Sequence, residues 1–118
     1  PIFDAFSTRN NVRRARAQQE SIRLQLDDAR NRLYKAIVQA HTQAVGAIKK
    51  QESARIAVES SEAAFEAMKV KYDNGRANAT EFQKAQSNYI NSQAQAVQAK
   101  YERILRARIL DFYNTQTL

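Results

Sequence analysis

The chain contains no cysteine and no tryptophan, a single proline at its first position, and only two glycines, Gly46 and Gly75. Sandwiches, barrels and doubly wound sheets need many tight turns, and those turns draw on glycine and proline. The scarcity of both excludes such folds and predicts a chain that is almost entirely helical. Without cysteine there is neither a disulfide framework nor a thiolate metal site, a composition that suits an oxidising compartment. No apolar run approaches the roughly 18 residues that a membrane-crossing helix requires. A single histidine, His41, leaves little from which to build a metal centre.

What remains is rich in alanine, glutamine, arginine, lysine and glutamate, mostly strong helix formers. The 118 residues carry a formal charge of +7. That length fits one domain or part of a larger one, and a start at Pro1 rather than methionine reads as an excised segment. Large apolar side chains are thinly spread and alanine is the commonest apolar residue. Such a sequence buries a narrow seam along rods rather than a ball-shaped core.

Residues 1–7, with Pro1, Ile2, Phe3 and Phe6, are expected to be extended, and Ser7 or Thr8 to cap the helix that follows. No breaker except Gly46 then appears before Asp73, Asn74 and Gly75. A long helix over 8–74 follows, roughly 100 Å in length. Gly75 suits the left-handed residue that ends a helix, and residues 75–77 form the turn. Asn78, with Glu81 three residues on, has the spacing of a capping box, and a return helix is expected over 78–113 with a polar tail over 114–118. The expected fold is all-α: a long antiparallel helical hairpin of coiled-coil type, with unequal arms. Folding at Gly75 sets Tyr113 opposite roughly residue 38, which leaves residues 8–38 to find a partner elsewhere.

Steps of three and four trace a seam along the first helix: Ile22, Leu26, Ala29, Leu33, Ala36, Ala40, Ala44, Ala47, Gln51, Ala54, Val58, Ser61, Phe65, Met68 and Tyr72. Only Gln51 and Ser61 interrupt it. A second stripe, Tyr34, Ile37, Val38, His41, Val45 and Ile48, points to a second neighbour. The return helix offers Phe82, Tyr89, Ile90, Ala94, Val97, Tyr101, Ile104, Leu105, Ile109 and Phe112. Alanine layers allow close approach of the helix axes but bury little area each, at about 25 cal/mol per Å².

No constellation for catalysis emerges, and no catalytic, cofactor-binding or metal-ligating residue is assigned. His41 reads as an ordinary helix residue, and Asp27, Asp28, Glu59, Glu62 and Glu66 as solvated faces with local ion pairs. Basic residues gather at Arg9, Arg13, Arg14, Arg16, Arg23, Arg30, Arg32 and Lys35, and again at Lys100, Arg103, Arg106 and Arg108. They raise a nucleic-acid reading, but they scatter around the helix without an interleaved aromatic platform, and no nucleic acid is expected as a partner. A basic helical dimer lying on an anionic membrane is a weaker reading on the sequence, because no apolar wedge or concave-face pattern is evident.

The stretch Tyr72-Asp73-Asn74-Gly75-Arg76-Ala77-Asn78-Ala79-Thr80-Glu81 resembles the hairpin tip of TolC-type outer-membrane efflux proteins, with its Tyr-x-x-Gly-x-x-(Thr/Ser)-x-x-Asp pattern. Pro1-Ile2-Phe3-Asp4 is similar to the stretch where that family leaves its β-barrel, and Ala99-Lys100-Tyr101 with Ile109 to Tyr113 resembles its closing helix. The chain departs from the pattern at Ala5, at Thr115 and Thr117, and at Lys84, where some members place an acidic gate residue. The resemblance implies the C-terminal portion of one protomer of a trimeric α-helical barrel that spans the periplasm beneath the outer membrane. It implies a passive conduit for multidrug efflux or type I export, with no enzyme activity and no cofactor. The implied partners are a periplasmic adaptor and an inner-membrane pump, while the isolated fragment is expected to self-associate.

On that resemblance the adaptor docks at Asp73, Asn74, Gly75, Arg76 and Asn78, and Tyr72 with Glu81 forms a candidate gate. The plainer alternatives are that Tyr72 is the last knob of the seam and that Asn78 and Glu81 cap the return helix. Two rival functions remain: a structural coiled-coil hairpin such as that of a periplasmic adaptor, whose arms would be of matched length, and a basic helical nucleic-acid-binding protein.

Overall fold

The computed structural model describes residues 2–116, and all their regular structure is helical. Helix α1 runs Ile2–Asp73 and helix α2 Ala79–Gln116. The chain divides into two units, residues 1–38 and residues 39–118.

Within the first unit every side chain from Ile2 to Lys35 is exposed. Ion pairs along the helix surface support it: Arg23 with Glu20 at 4.0 Å, Arg30 with Asp27 at 3.7 Å and Arg32 with Asp28 at 2.7 Å. The expected extended segment over residues 1–7 is corrected, since residues 2–7 are already helical; Pro1 lies outside the described residues. The reason is local. Proline tolerates the first turn of a helix, where its missing N–H has no bond to lose. Thr8 is accordingly not a cap, because its hydroxyl donates to the carbonyl of Asp4 at 2.8 Å, four residues back inside the helix.

The second unit is a hairpin. Its pairings run antiparallel: Gln43 with Arg106, Lys50 with Glu102, Glu62 with Tyr89, and Phe65 with Phe82. Among the described residues the buried side chains are all alanine: Ala40, Ala44 and Ala47 of α1 and Ala99 of α2, the last only 1% exposed. Gln51, Ala54, Val58, Ser61, Phe65 and Met68 extend the α1 seam toward the turn, half-buried and at the expected spacing.

The two polar residues in that series are satisfied rather than stranded. Gln51 accepts a hydrogen bond from Arg103 Nη1 at 2.7 Å, and the Ser61 hydroxyl donates to the Val58 carbonyl at 3.0 Å. Such pairing is what an interior polar group requires.

On α2 the expected stripe is only partly the packed one. Phe82, Tyr89 and Ile109 turn inward, but so do Ala85, Ser92, Ala96, Ala99 and Arg106. Ile90, Val97, Tyr101, Ile104, Leu105 and Phe112 are exposed. With only two helices to pack, closeness decides: small residues let the axes approach, and the larger apolar row falls on the other side of α2. The expected tail is corrected in the same way. Residues 114–116 continue α2, where the Thr115 hydroxyl donates to the Asp111 carbonyl at 2.8 Å; residues 117 and 118 lie outside the described range.

Candidate functional site

The connection between the helices is built by backbone chemistry that only a few residue types allow. Gly75 has a φ of 67°, in the left-handed region that costs an L-residue with a Cβ. Across it the Arg76 amide donates to the Lys71 carbonyl at 2.8 Å and the Gly75 amide to the Tyr72 carbonyl at 2.9 Å. This pair of bonds is the Schellman arrangement, which satisfies carbonyls that a helix end leaves open. Asn74 adds a third closure, its side-chain Nδ2 donating to the Val70 carbonyl at 2.7 Å.

The start of α2 is closed reciprocally. The Glu81 amide donates to Asn78 Oδ1 at 2.8 Å, and the Asn78 amide donates to Glu81 Oε2 at 3.0 Å. The capping box expected from the spacing is therefore formed, with asparagine in the capping position.

Beneath the turn the aromatic residues interlock. Tyr72 stacks on Phe82 with ring centroids 4.9 Å apart, Phe82 meets Phe65 at 5.6 Å, and Phe65 stacks on Tyr89 at 5.7 Å. Each such pair contributes about 0.5–1.5 kcal/mol beyond its area burial. The Tyr89 hydroxyl donates to Glu62 at 3.1 Å. Partial burial first, and then the Glu62 carboxylate, push its phenol above the ordinary value.

The residues singled out by sequence thus fall into two groups. Asn74, Gly75, Asn78 and Glu81 are bonded into the turn. The side chains of Asp73 and Arg76 are exposed and make no ion pair or hydrogen bond among the described residues, so the turn presents one acid and one base to the surroundings. Tyr72 is 41% exposed, its ring on Phe82, and no bond joins it to Glu81. His41 is exposed, and no group of three potential ligands is placed to hold a metal among the described residues.

Sequence reasoning missed a set of polar ties midway along the hairpin. Lys50 pairs with Glu102 at 2.6 Å, Arg103 with Gln51, and Arg106 Nη1 donates to Gln43 at 2.9 Å. Lys50 holds the Glu102 carboxyl below the usual carboxylate range, first by its hydrogen bond and then by its charge. Adjacent residues of one helix therefore grip adjacent residues of the other, which fixes the axial register. The signal was the polar Gln51 inside an alanine series, with arginine at the matching height of α2.

An open groove of about 660 Å³ runs along one flank, between Ile48, Val58, Val97, Lys100 and neighbours. Arg55 sits in it bonded to Glu52 and Glu59, so its charge is already neutralised, and the Glu52 carboxyl is lowered chiefly by that bond. Nothing there converges on a reacting centre. Among the described residues no helix is long and apolar enough to cross a membrane.

A family model described as "Outer membrane efflux protein" matches residues 1–112. No curated protein and no solved structure matches the chain.

Proposed function

The chain belongs to the outer membrane efflux protein family, a family of transport channels rather than enzymes, and we propose that it forms part of the periplasmic tunnel wall of such a channel, with its turn as the site where a periplasmic adaptor docks. The observation that carries this reading is the turn itself. A Cβ built at Gly75 would meet nothing within 4 Å, and the amides of Asn74, Gly75, Arg76 and Asn78 are all bonded within the chain. A partner backbone can therefore approach closely without disturbing the hairpin, while Asp73 and Arg76 supply unengaged charges for recognition.

The wall reading draws on the other surfaces. In a tunnel each helix has neighbours on two sides, and α2 carries a small-residue face against α1 and a row of exposed large residues from Ile90 to Phe112 on its other side. The groove beside Ile48 and Val97 has the apolar lining that an adjacent helix would fill. The full channel in this reading is a homotrimer working with an adaptor and an inner-membrane pump, and solutes pass through it without chemical change. Tyr72 and Glu81 stand at the level where the tunnel would narrow. Residues 1–7 would lie nearest the outer membrane.

The unequal helices, 72 and 38 residues, argue against an adaptor hairpin, whose arms would match. The test is Gly75→Arg in the full-length protein. Helix content and trimer assembly should be retained while export of a pump substrate is lost; normal export by the variant would overturn the docking site.

A further inference from the structure

We propose that the first four turns of α1 form a membrane-surface anchor that binds bilayers of anionic phospholipid. The helical start of α1 makes this surface. Spacings of four and three place Ile2, Phe6, Arg9, Arg13 and Arg16 on one stripe of the helix, and Phe3 and Arg14 share the stripe beside it. An extended segment would not have aligned them.

Ile2, Phe3 and Phe6 are 71, 88 and 61% exposed, which leaves two aromatic rings and a branched aliphatic largely uncovered in the first turns of α1. The arginines begin at the next turn. From residue 2 to 19 the chain has four arginines and a single carboxylate, Asp4, and none of these takes part in an ion pair among the described residues. The contrast with the adjoining turns is sharp: Arg23, Arg30 and Arg32 each lie beside an acid on the same helix. Local ion pairing stops at Glu20, before the arginines that adjoin the apolar residues.

That order, apolar end and then unneutralised guanidinium groups, complements a bilayer surface. Ile2 and Phe6 lie about 6 Å apart along the helix axis on one stripe, so a helix lying in the interface plane buries both at once. Arg9 follows about 4.5 Å further along. Arginine can lay its aliphatic stem along apolar surface while its planar head meets lipid phosphates. Nucleic acid would satisfy the arginines but leave the phenylalanines in water, and a lone phosphate ion would do the same. The anionic bilayer is the occupant that uses both halves of the surface.

The chain has no tryptophan, so Phe3→Trp gives a lone fluorescent reporter in the 118-residue protein. With vesicles of equal parts phosphatidylglycerol and phosphatidylcholine, its emission should shift to the blue and the protein should float with the vesicles. With phosphatidylcholine alone it should do neither. Arg9→Gln with Arg13→Gln should lower partitioning about 25-fold, at about fivefold per arginine near the surface. Phe3→Ser with Phe6→Ser should lower it at least about tenfold. Lys69→Gln with Lys84→Gln, the same charge change far along the chain, should alter it less than about twofold. Circular dichroism verifies that each variant keeps its helix content. Absence of a blue shift, equal binding by the serine variant, or an equal loss in the lysine control would overturn the proposal. So would duplex DNA binding with the same arginine dependence and no vesicle binding, which would give the surface to nucleic acid.

Discussion

The Lys50 ammonium lies 2.6 Å from the Glu102 carboxylate, and Gln51, the next residue of α1, accepts a hydrogen bond from Arg103, the next residue of α2. These paired neighbours hold the two helices in one register at a level where the packing itself is alanine and would allow sliding. In the proposed tunnel wall, such ties would make the two helices move as one body.

The Glu102 tie makes stability depend on pH in a defined direction. Its carboxyl titrates below the usual 4.5 because Lys50 bonds it. The tie is therefore fully present above that ordinary value and is lost as the pH falls beneath it toward the lowered folded value. Thermal melts of the wild type against Glu102→Gln should differ at neutral pH, converge in acid, and differ less in high salt.

Ala99 tests the close approach of the helices. It is 1% exposed, so Ala99→Leu should push α2 from α1 and cost about 1–3 kcal/mol in denaturant unfolding. The same change at exposed Ala94 should be nearly neutral.

The turn makes a ranked prediction. At a φ of 67°, Gly75→Ala should cost about 1–2 kcal/mol, and Gly75→Asn less, since asparagine tolerates the left-handed region. No atom lies within 4 Å of a Cβ built there, so the cost is backbone strain alone.

Asn78 and Glu81 separate capping from gating. Asn78→Ala should destabilise the hairpin by about 1 kcal/mol. Glu81→Gln retains an acceptor for the Asn78 amide and should leave the melting temperature nearly unchanged. Altered solute flux in the full protein with Glu81→Gln would then report its charge in the gate rather than its cap.

Tyr72 allows a parallel separation. Tyr72→Phe keeps the stack on Phe82 and should preserve stability, whereas Tyr72→Ala should lose at least about 0.5–1.5 kcal/mol, the pair's contribution before the ring's burial is counted. A change in flux with Tyr72→Phe would assign the hydroxyl a role that packing does not give it.

Much of this fold was legible from what breaks or caps a helix. Asp73-Asn74-Gly75 and the Asn78–Glu81 spacing located the turn, because few residues satisfy a helix end and the bonds follow from backbone geometry. The α1 seam from Ala40 to Met68 followed from its period. The face of α2 did not, because hydrophobic size favours Ile90, Val97 and Leu105 while close packing favours Ala96 and Ala99, and periodicity cannot rank two faces of one helix. The start of α1 was misread because Pro1 suits both an extended strand and a first helical turn, and Ile2, Phe3 and Phe6 have no fixed period over so short a span. The ties at Lys50 and Gln51 needed the register, which only the folded hairpin supplies.

The central claim, that the turn docks an adaptor, is tested most directly by placing a photo-crosslinking amino acid at Arg76 in the full-length protein in cells that contain the adaptor and pump. Irradiation should give an adduct with the adaptor from position 76, and none from exposed position 53, about 20 residues before the turn on α1. An adduct of equal yield at 53, or none at 76 in cells that export normally, would contradict the account.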